Sequence, residues 1–334
     1  MSFFAILCAL LIEQVRPLAY HNPVHGAVVA WTRWTSRNLD AGKSHHGWIA
    51  WALAVFLPTG IALGVHWLLV LTLGLPFAVL WSIAVLYTTL GFRQFSHHFT
   101  GIRDALDEGD EPLARSLLAH WQRVDAAELP RSEIVRHVIE HSVIAAHRHV
   151  FGVLAWFSIL AALGLGPAGA VFYRMSEFVS RYWAHKGSAA VQPSSVWVQQ
   201  AAARAWEVID WLPARITALG FAVVGSFEDA IDCWRNDAGR FPDPNDGVIL
   251  AATSGAVNVR LGGGMLRPVP AGDALSRAQA GEMTGSGDRG PDAGSTQGRE
   301  PESAHLRSVV GLVWRSVVMW MVLLALLTLA RLLG

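Results

Sequence analysis

The polar, glycine-ended stretch RFPDPNDGVILAATSGAVNVRLGGG (240–264) carries the side chains best suited to chemistry. Arg260 has a planar guanidinium that can pair with a phosphate or a carboxylate, or it can merely flank the glycines. The run Gly262–Gly264 gives backbone freedom, but no Lys-Ser or Lys-Thr follows it, so it is not a P-loop. Asn245 and Asp246 come directly after a proline and, taken alone, predict a turn.

A second polar set lies in RSEIVRHVIEHS (131–142). His137 and His141 are four residues apart, with Glu133 one turn earlier, and one helix face of this kind could hold a metal ion. However, HVIEH is not the HExxH pattern of zinc proteases. We therefore interpret these residues as histidines near the start of a membrane helix and predict no metal site. Ser132 fits a helix N-terminus rather than a nucleophile.

The composition indicates the environment in which these residues work. Of 334 residues, 52% are hydrophobic, only 16% are charged, and 15 are tryptophans. A soluble domain typically has about 25% charged residues, and tryptophan favours the membrane–water boundary. The net charge of +0 argues against a general nucleic-acid binder. The two cysteines make no CxxC pair and signal neither a disulfide framework nor a thiolate zinc site.

Several apolar segments are long enough to cross a bilayer, which takes about 20 residues. The apolar N-terminus lacks a basic region and a cleavage site, so we interpret it as a retained helix. One segment is weak because Asp210 and Arg215 fall inside it, and charges are costly at the bilayer centre. The predicted spans are 48–71, 75–92, 151–173 with an interruption at GLGPAG, the weak 208–227, and a C-terminal transmembrane helix at 306–334.

The polar connections predict the topology. Residues 93–149 show apolar positions at helical spacing and many arginines, so we expect cytoplasmic amphipathic helices there. The arginines before residue 48 place the N-terminal loop in the cytoplasm as well, whereas the topology after residue 150 stays open. Residues 265–305 are rich in Gly, Ser, Asp and Pro and predict a disordered linker. The expected fold is an all-α, polytopic integral membrane protein of a bacterial inner membrane, with its main domain at 1–264.

The stretch FPDPNDGVILAATSGAVNVRLGG resembles the SPNAG...A.AGALGVRLGG signature of the CobD/CbiB membrane family of cobalamin biosynthesis. Other motifs resemble that family in the same order. NPVHGAVVAW is similar to its HPVRWIG motif, and ALDEGDEPLARSLL to its AL..GDLE.AR segment. GPAGAVFYR is similar to GPPGALAYR, and WLPARITALGF to WIPARLTALL. The resemblance covers most of residues 1–264.

This resemblance implies adenosylcobinamide-phosphate synthesis. The reaction joins aminopropanol, or its phosphate, to a propionate of adenosylcobyric acid as an amide, with ATP hydrolysis. The partners implied are the lipid bilayer, the corrinoid and small-amine substrates, and other cobalamin-pathway proteins. By the same resemblance, Arg260 and the backbone amides of Gly262, Gly263 and Gly264 would face a phosphate. Asn245 would fix a polar substituent, and the acids Glu140 and Asp246 would hold Mg²⁺ or deprotonate the amine.

The chain also departs from the family pattern. The family's VESVAENxxDG segment stands here as VIEHSVIAAHRHVFGV, so Glu140 has a counterpart but the Glu-Asn pair and the following Asp do not. The segments AAHRHVFGVLAWF and GSFEDAIDCWR are similar instead to AmpE, a membrane protein linked to β-lactamase induction. The alternative hypothesis is therefore a non-catalytic, AmpE-like signalling or regulatory protein of the inner membrane.

Overall fold

Helices make up most of the chain in the computed structural model, which describes residues 2–16, 22–40, 42–122, 125–188, 194–264 and 294–333. In chain order they are α1 (Ser2–Val15), α2 (Pro23–Leu39), α3 (Ser44–Thr72), α4 (Leu75–Thr89), α5 (Phe92–Asp107), α6 (Glu111–Gln122), α7 (Arg131–Ala146), α8 (Gly152–Ala162), α9 (Ala168–Ser188), α10 (Val196–Val224), α11 (Phe227–Asp237), α12 (Pro244–Val257) and α13 (Ser303–Leu333). A π-helical turn, His147–Phe151, joins α7 to α8. Extended pairing within the described ranges is limited to two isolated bridges. The all-α prediction is confirmed.

Three helices in the described part of the chain are long and apolar enough to cross a membrane, namely Ser44–Thr72, Arg131–Ala162 and Ser303–Ala330. The first contains the predicted span 48–71. Helix α4 is apolar but shorter, and it ends at Thr89 rather than at residue 92. The chain is thus a helical membrane protein, as its composition indicates.

The predicted span 151–173 is not one helix, and its break lies at the predicted GLGPAG interruption. The apolar stretch ends at Ala162, and α9 begins only at Ala168. Gly164 and Gly166, with φ of 80° and 54°, make the break between the two helices. In the other direction the helix continues back to Arg131, so the candidate span is 131–162. The polar residues of α7 conceal this continuity in the sequence, and part of the stretch predicted to be cytoplasmic belongs to this helix.

The weak segment 208–227 belongs to a 29-residue helix, α10, which continues through Pro213. A proline in a helix leaves the carbonyl four residues earlier without its usual donor. Here the indole N–H of Trp156 donates to that carbonyl, on Ile209, at 3.1 Å. The same arrangement occurs at Pro58 of α3, where the freed carbonyl of Ala54 accepts from the indole of Trp31 at 3.1 Å. Some of the many tryptophans therefore serve as backbone donors.

The chain divides into two compact units. Unit 1 comprises Met1–Phe95, Ile144–Gly220 and Trp314–Gly334, without the residues that the structure does not describe. In unit 1, α9 packs against α3 and α8, and α1 packs against α4. The approach of α8 to α9 is close because a Cβ on Gly169 would lie 2.0 Å from the carbonyl oxygen of Trp156. The second glycine of the GPAG motif, Gly169, is thus required by packing.

Unit 2 comprises Ser96–Val143 and Phe221–Val313, again without the undescribed residues. Ile102, Leu106 and Leu118 are fully buried there, which confirms the helical spacing in this segment, although Leu113 is exposed. Helices α11 and α12 pack closely, since a Cβ on Gly255 would lie 2.2 Å from the carbonyl oxygen of Asp229. Almost every residue of α12 is buried, which explains why the stretch is too apolar for a loop.

The predicted linker at 265–305 lies outside the described residues from 265 to 293. From Gly294 onward the chain is described, and Ser295 and Thr296 are buried. The last helix begins at Ser303, three residues before its predicted start at 306. The C-terminal part of the predicted linker, 294–302, is therefore packed structure in unit 2.

Candidate functional site

The VRLGGG residues form a loop that leaves the end of α12 in unit 2. Helix α12 is preceded by its N-cap, Asp243, and followed by its C-cap, Asn258, whose φ of 53° is left-handed. Gly262 and Gly263 have φ of 84° and 107°, a region that favours glycine. A Cβ on Gly262 would also lie 2.6 Å from the carbonyl oxygen of Gly294. Glycine is thus required at position 262 by both conformation and space.

The segment that follows residue 293 holds this loop in place. The backbone N–H of Thr296 donates to the carbonyl of Leu261 at 2.7 Å, and its hydroxyl accepts from the N–H of Leu261 at 2.9 Å. Ser254 of α12 lies 2.6 Å from the same hydroxyl. No local pattern predicts this pairing, because the composition of 294–300 is typical of a linker.

Glu140 contacts the glycine loop directly. The backbone N–H of Gly262 donates to Glu140 Oε1 at 2.7 Å. Arg136, one turn earlier on α7, donates through Nη1 to both oxygens of Glu140 at 3.0 and 3.2 Å, and through Nη2 to the carbonyl of Gly264 at 2.8 Å. The structure thus brings together two predicted parts of the site, the acid of the VIEH segment and the glycines of VRLGGG.

Arg136 is the centre of this arrangement and was not predicted. Its side chain is 4% exposed, and its Nε donates to both oxygens of Glu133 at 3.1 and 3.0 Å. The Glu133, Arg136 and Glu140 spacing of three and four residues is the pattern that pairs charges on one helix face. That spacing is the signal in the sequence from which the role of Arg136 could have been predicted. Two carboxylates thus share one buried guanidinium.

The geometry bears on two expected roles. Glu140 was expected to hold Mg²⁺ or act as a base. Both of its oxygens accept from the guanidinium of Arg136, which stands where Mg²⁺ would bind, while the role as a base stays a prediction. Within the described residues no three His, Cys, Asp or Glu side chains are grouped to hold a metal ion. The N–H of Gly262 was expected to face a phosphate, but the anion it binds is the carboxylate of Glu140.

The remaining predicted residues lie around the loop. Asn245, which is 2% exposed, and Asp246 form the first turn of α12 rather than a free turn, and both backbone N–H groups donate to Asp243. Arg260 is half-buried, and its backbone N–H donates to the carbonyl of Arg299 at 2.7 Å. These residues share unit 2 with Glu140, and their roles stay predictions.

The histidines of α7 serve different neighbours. His137 Nε2 lies 2.9 Å from Arg136 Nη2. His141 instead packs edge-on against the ring of Trp121, with ring centroids 4.5 Å apart. The shared face that the i, i+4 spacing suggests is therefore divided between an ion-pair cluster and an aromatic contact.

Comparison with known proteins places the chain in a family. The CobD/Cbib protein family model matches residues 3–279. A cobalamin biosynthesis protein CobD of Stutzerimonas stutzeri strain A1501 is 30% identical over 329 residues, which cover 96% of both chains. A CobD of Chromobacterium violaceum is 35% identical over 182 residues, 54% of this chain and 55% of that protein. A CobD of Leptospira interrogans is 30% identical over 213 residues, 62% of each.

No solved structure matches the chain significantly. The matches favour the cobalamin-pathway hypothesis over the AmpE-like alternative, because the family model spans both the glycine loop and the segments that resemble AmpE. The relative that is 30% identical over 96% of both chains is also a CobD protein, which favours the same hypothesis. This membrane protein therefore belongs to the CobD/CbiB family of cobalamin biosynthesis proteins.

Proposed function

We propose that this chain performs the amide-forming step that the family resemblance implies. In that step the amine of aminopropanol or its phosphate is joined to a propionate of adenosylcobyric acid, and ATP hydrolysis supplies the free energy for condensation. The observation that carries the proposal is the 2.7 Å hydrogen bond from the backbone N–H of Gly262 to Glu140 Oε1. It joins the family-like glycine motif to the acid that the altered VIEH segment retains.

The proposed roles follow from the contacts in unit 2. Glu140 and Arg136 hold the loop in one conformation, which would preorganise it for an anionic substrate. Arg260 is the cation of the loop suited to a phosphate or carboxylate, because a guanidinium pairs with both in a bidentate manner. Asn245 would fix a polar substituent at the start of α12. Asp246 is the remaining predicted acid, and its role in proton transfer is part of the proposal.

The test is complementation of a bacterium that lacks its adenosylcobinamide-phosphate synthase. Growth on cobyric acid under cobalamin-dependent conditions is expected with this chain and is expected to disappear with Asn245→Ala or Arg260→Ala. Arg235→Ala, at an exposed arginine of α11 in the same unit, is the matched control and should support growth. Absence of growth from membrane-inserted, well-expressed protein would refute the proposed function.

We further propose an inner-membrane location with the N-terminal loop and the polar helices α5 and α6 in the cytoplasm. The support is the excess of arginine in these segments. Cysteine labelling of intact cells tests it, with single cysteines introduced at the exposed positions Arg37 and Glu108 in a chain without Cys8 and Cys233. An impermeant maleimide that labels either position before lysis would reverse the proposed orientation.

A further inference from the structure

Four polar side chains from three separate segments of the chain are buried together inside unit 1. His147 comes from AAHRHVFG, Tyr173 from GPAGAVFYR, and Asp210 and Thr217 from VIDWLPARITALGF. His147, Tyr173 and Asp210 are 0% exposed, and Thr217 is 2% exposed. Burying such groups costs free energy unless they are paired, and ionisable groups among membrane helices usually have a function.

The four side chains form one hydrogen-bonded network. His147 Nε2 lies 2.8 Å from Asp210 Oδ1, and His147 Nδ1 lies 2.9 Å from the hydroxyl of Thr217. The hydroxyl of Tyr173 donates to the same Asp210 Oδ1 at 2.8 Å. A neutral imidazole satisfies these bonds if Nε2 carries the proton and Thr217 donates to Nδ1. In that tautomer no member of the network carries a positive charge.

The other carboxylate oxygen, Asp210 Oδ2, is buried and has no hydrogen-bond partner among the described residues. The two groups of the network that hydrogen-bond to Asp210, His147 Nε2 and the Tyr173 hydroxyl, both contact Oδ1. Arg148 and Arg215 act on Asp210 through their positive charges, and Glu177 acts on it through a negative charge like its own. A buried acceptor without a donor is costly, so Oδ2 calls for a donor from outside the network.

Aromatic rings that can face a cation lie beside the network. The ring centroid of Tyr173 lies 5.2 Å from that of Trp206, and the guanidinium of Arg148 lies 6.0 Å from the Trp206 centroid. Aromatic faces attract cations. The adjoining helices are irregular at this level, since His147 opens the π-helical turn and Pro213 follows Asp210 by three residues. Such turns are frequent at functional sites.

We propose that Asp210 Oδ2 binds the ammonium group of a small primary amine, while His147 and Tyr173 fix the carboxylate through Oδ1. A primary ammonium supplies the missing N–H donor together with a positive charge, whereas water supplies only the donor. The identification of this amine with an amino alcohol substrate rests on the proposed function. The site itself lies within unit 1, and a measurement of amine binding tests it without any assay of the proposed reaction.

The first test uses the full chain in detergent and a series of three probes of similar shape. Calorimetry should detect binding of 1-amino-2-propanol. 1,2-Propanediol lacks the charge, and the trimethylammonium analogue of the amine lacks N–H donors, so both should bind at least about tenfold more weakly, the usual effect of a lost charged hydrogen bond. Equal binding of either analogue would overturn the proposal, and this comparison requires no variant.

The second test removes the charge at the site. Asp210→Asn should weaken 1-amino-2-propanol binding by at least about tenfold, whereas Glu207→Gln, at an exposed position of the same helix, should not change it. If Asp210→Asn does not fold, the probe series on the unmodified chain decides. Binding without complementation would refute the proposed function and leave the site standing. Complementation with no amine binding would refute the site alone.

Discussion

Replacing Glu140 tests whether this residue anchors the glycine loop or acts as a catalytic base. In Glu140→Ala, Arg136 loses one of its two carboxylates and the N–H of Gly262 loses its acceptor. Breaking a fully buried pair costs about 3–5 kcal/mol. Because Glu133 still faces Arg136 and Glu140 is 18% exposed, we expect a smaller loss of unfolding free energy, about 2–3 kcal/mol.

Glu140→Gln keeps an amide oxygen that can accept from Gly262 and should cost only about 1 kcal/mol. Unfolding by increasing the fraction of a denaturing detergent in micelles, followed by circular dichroism, measures both losses. Glu128→Ala, at an exposed glutamate of unit 2, is the control and should be nearly neutral.

Complementation gives the functional side of this prediction. If Glu140 anchors the loop, the Gln variant should support growth and the Ala variant should not. If Glu140 acts as a base, the two variants should fail alike, since an amide cannot take the proton. Growth lost in both variants, with both chains folded and in the membrane, would refute the anchoring role.

Two further predictions concern the packing of unit 1. Gly152→Ala should destabilise the fold by about 2 kcal/mol or more, because the added Cβ would lie 2.1 Å from the ring and hydroxyl of Tyr173. The control is Gly60→Ala, whose Cβ would meet nothing within 4 Å and which should be neutral or slightly stabilising. Equal melting temperatures for the two variants would contradict this prediction. Trp156→Phe should cost about 1 kcal/mol by removing the donor to the carbonyl that Pro213 frees, and the cost should shrink in a Pro213→Ala background. An unchanged cost in the double-mutant cycle would refute that explanation.

The helical class and the apolar spans were accessible from the sequence, but the site was accessible only in part. Local signals such as the proline and glycine at the α8 to α9 break mark where a helix ends. The Glu133, Arg136 and Glu140 spacing was also visible. The bond between Glu140 and Gly262 joins residues 122 positions apart, and only the family resemblance suggested it.

The buried network of unit 1 was beyond such reasoning. Asp210 was expected to weaken a membrane span, because a single charge in an apolar segment is costly. Its partners His147 and Tyr173 come from other helices, and nothing in their local spacing indicates that they meet. The same applies to residues 294–300, whose composition gives no hint that Thr296 pairs with Leu261.

The indole bonds to the proline-freed carbonyls make two tryptophans into built-in reporters. An indole proton exchanges with solvent only after its hydrogen bond opens, so its exchange rate reads the local opening of the helix at the proline. The Trp31 signal would follow α3 at Pro58, and the Trp156 signal would follow α10 at Pro213, one turn from Asp210. Hydrogen exchange at these indole nitrogens would thus show, without any label, whether an added amine tightens the helix that carries Asp210.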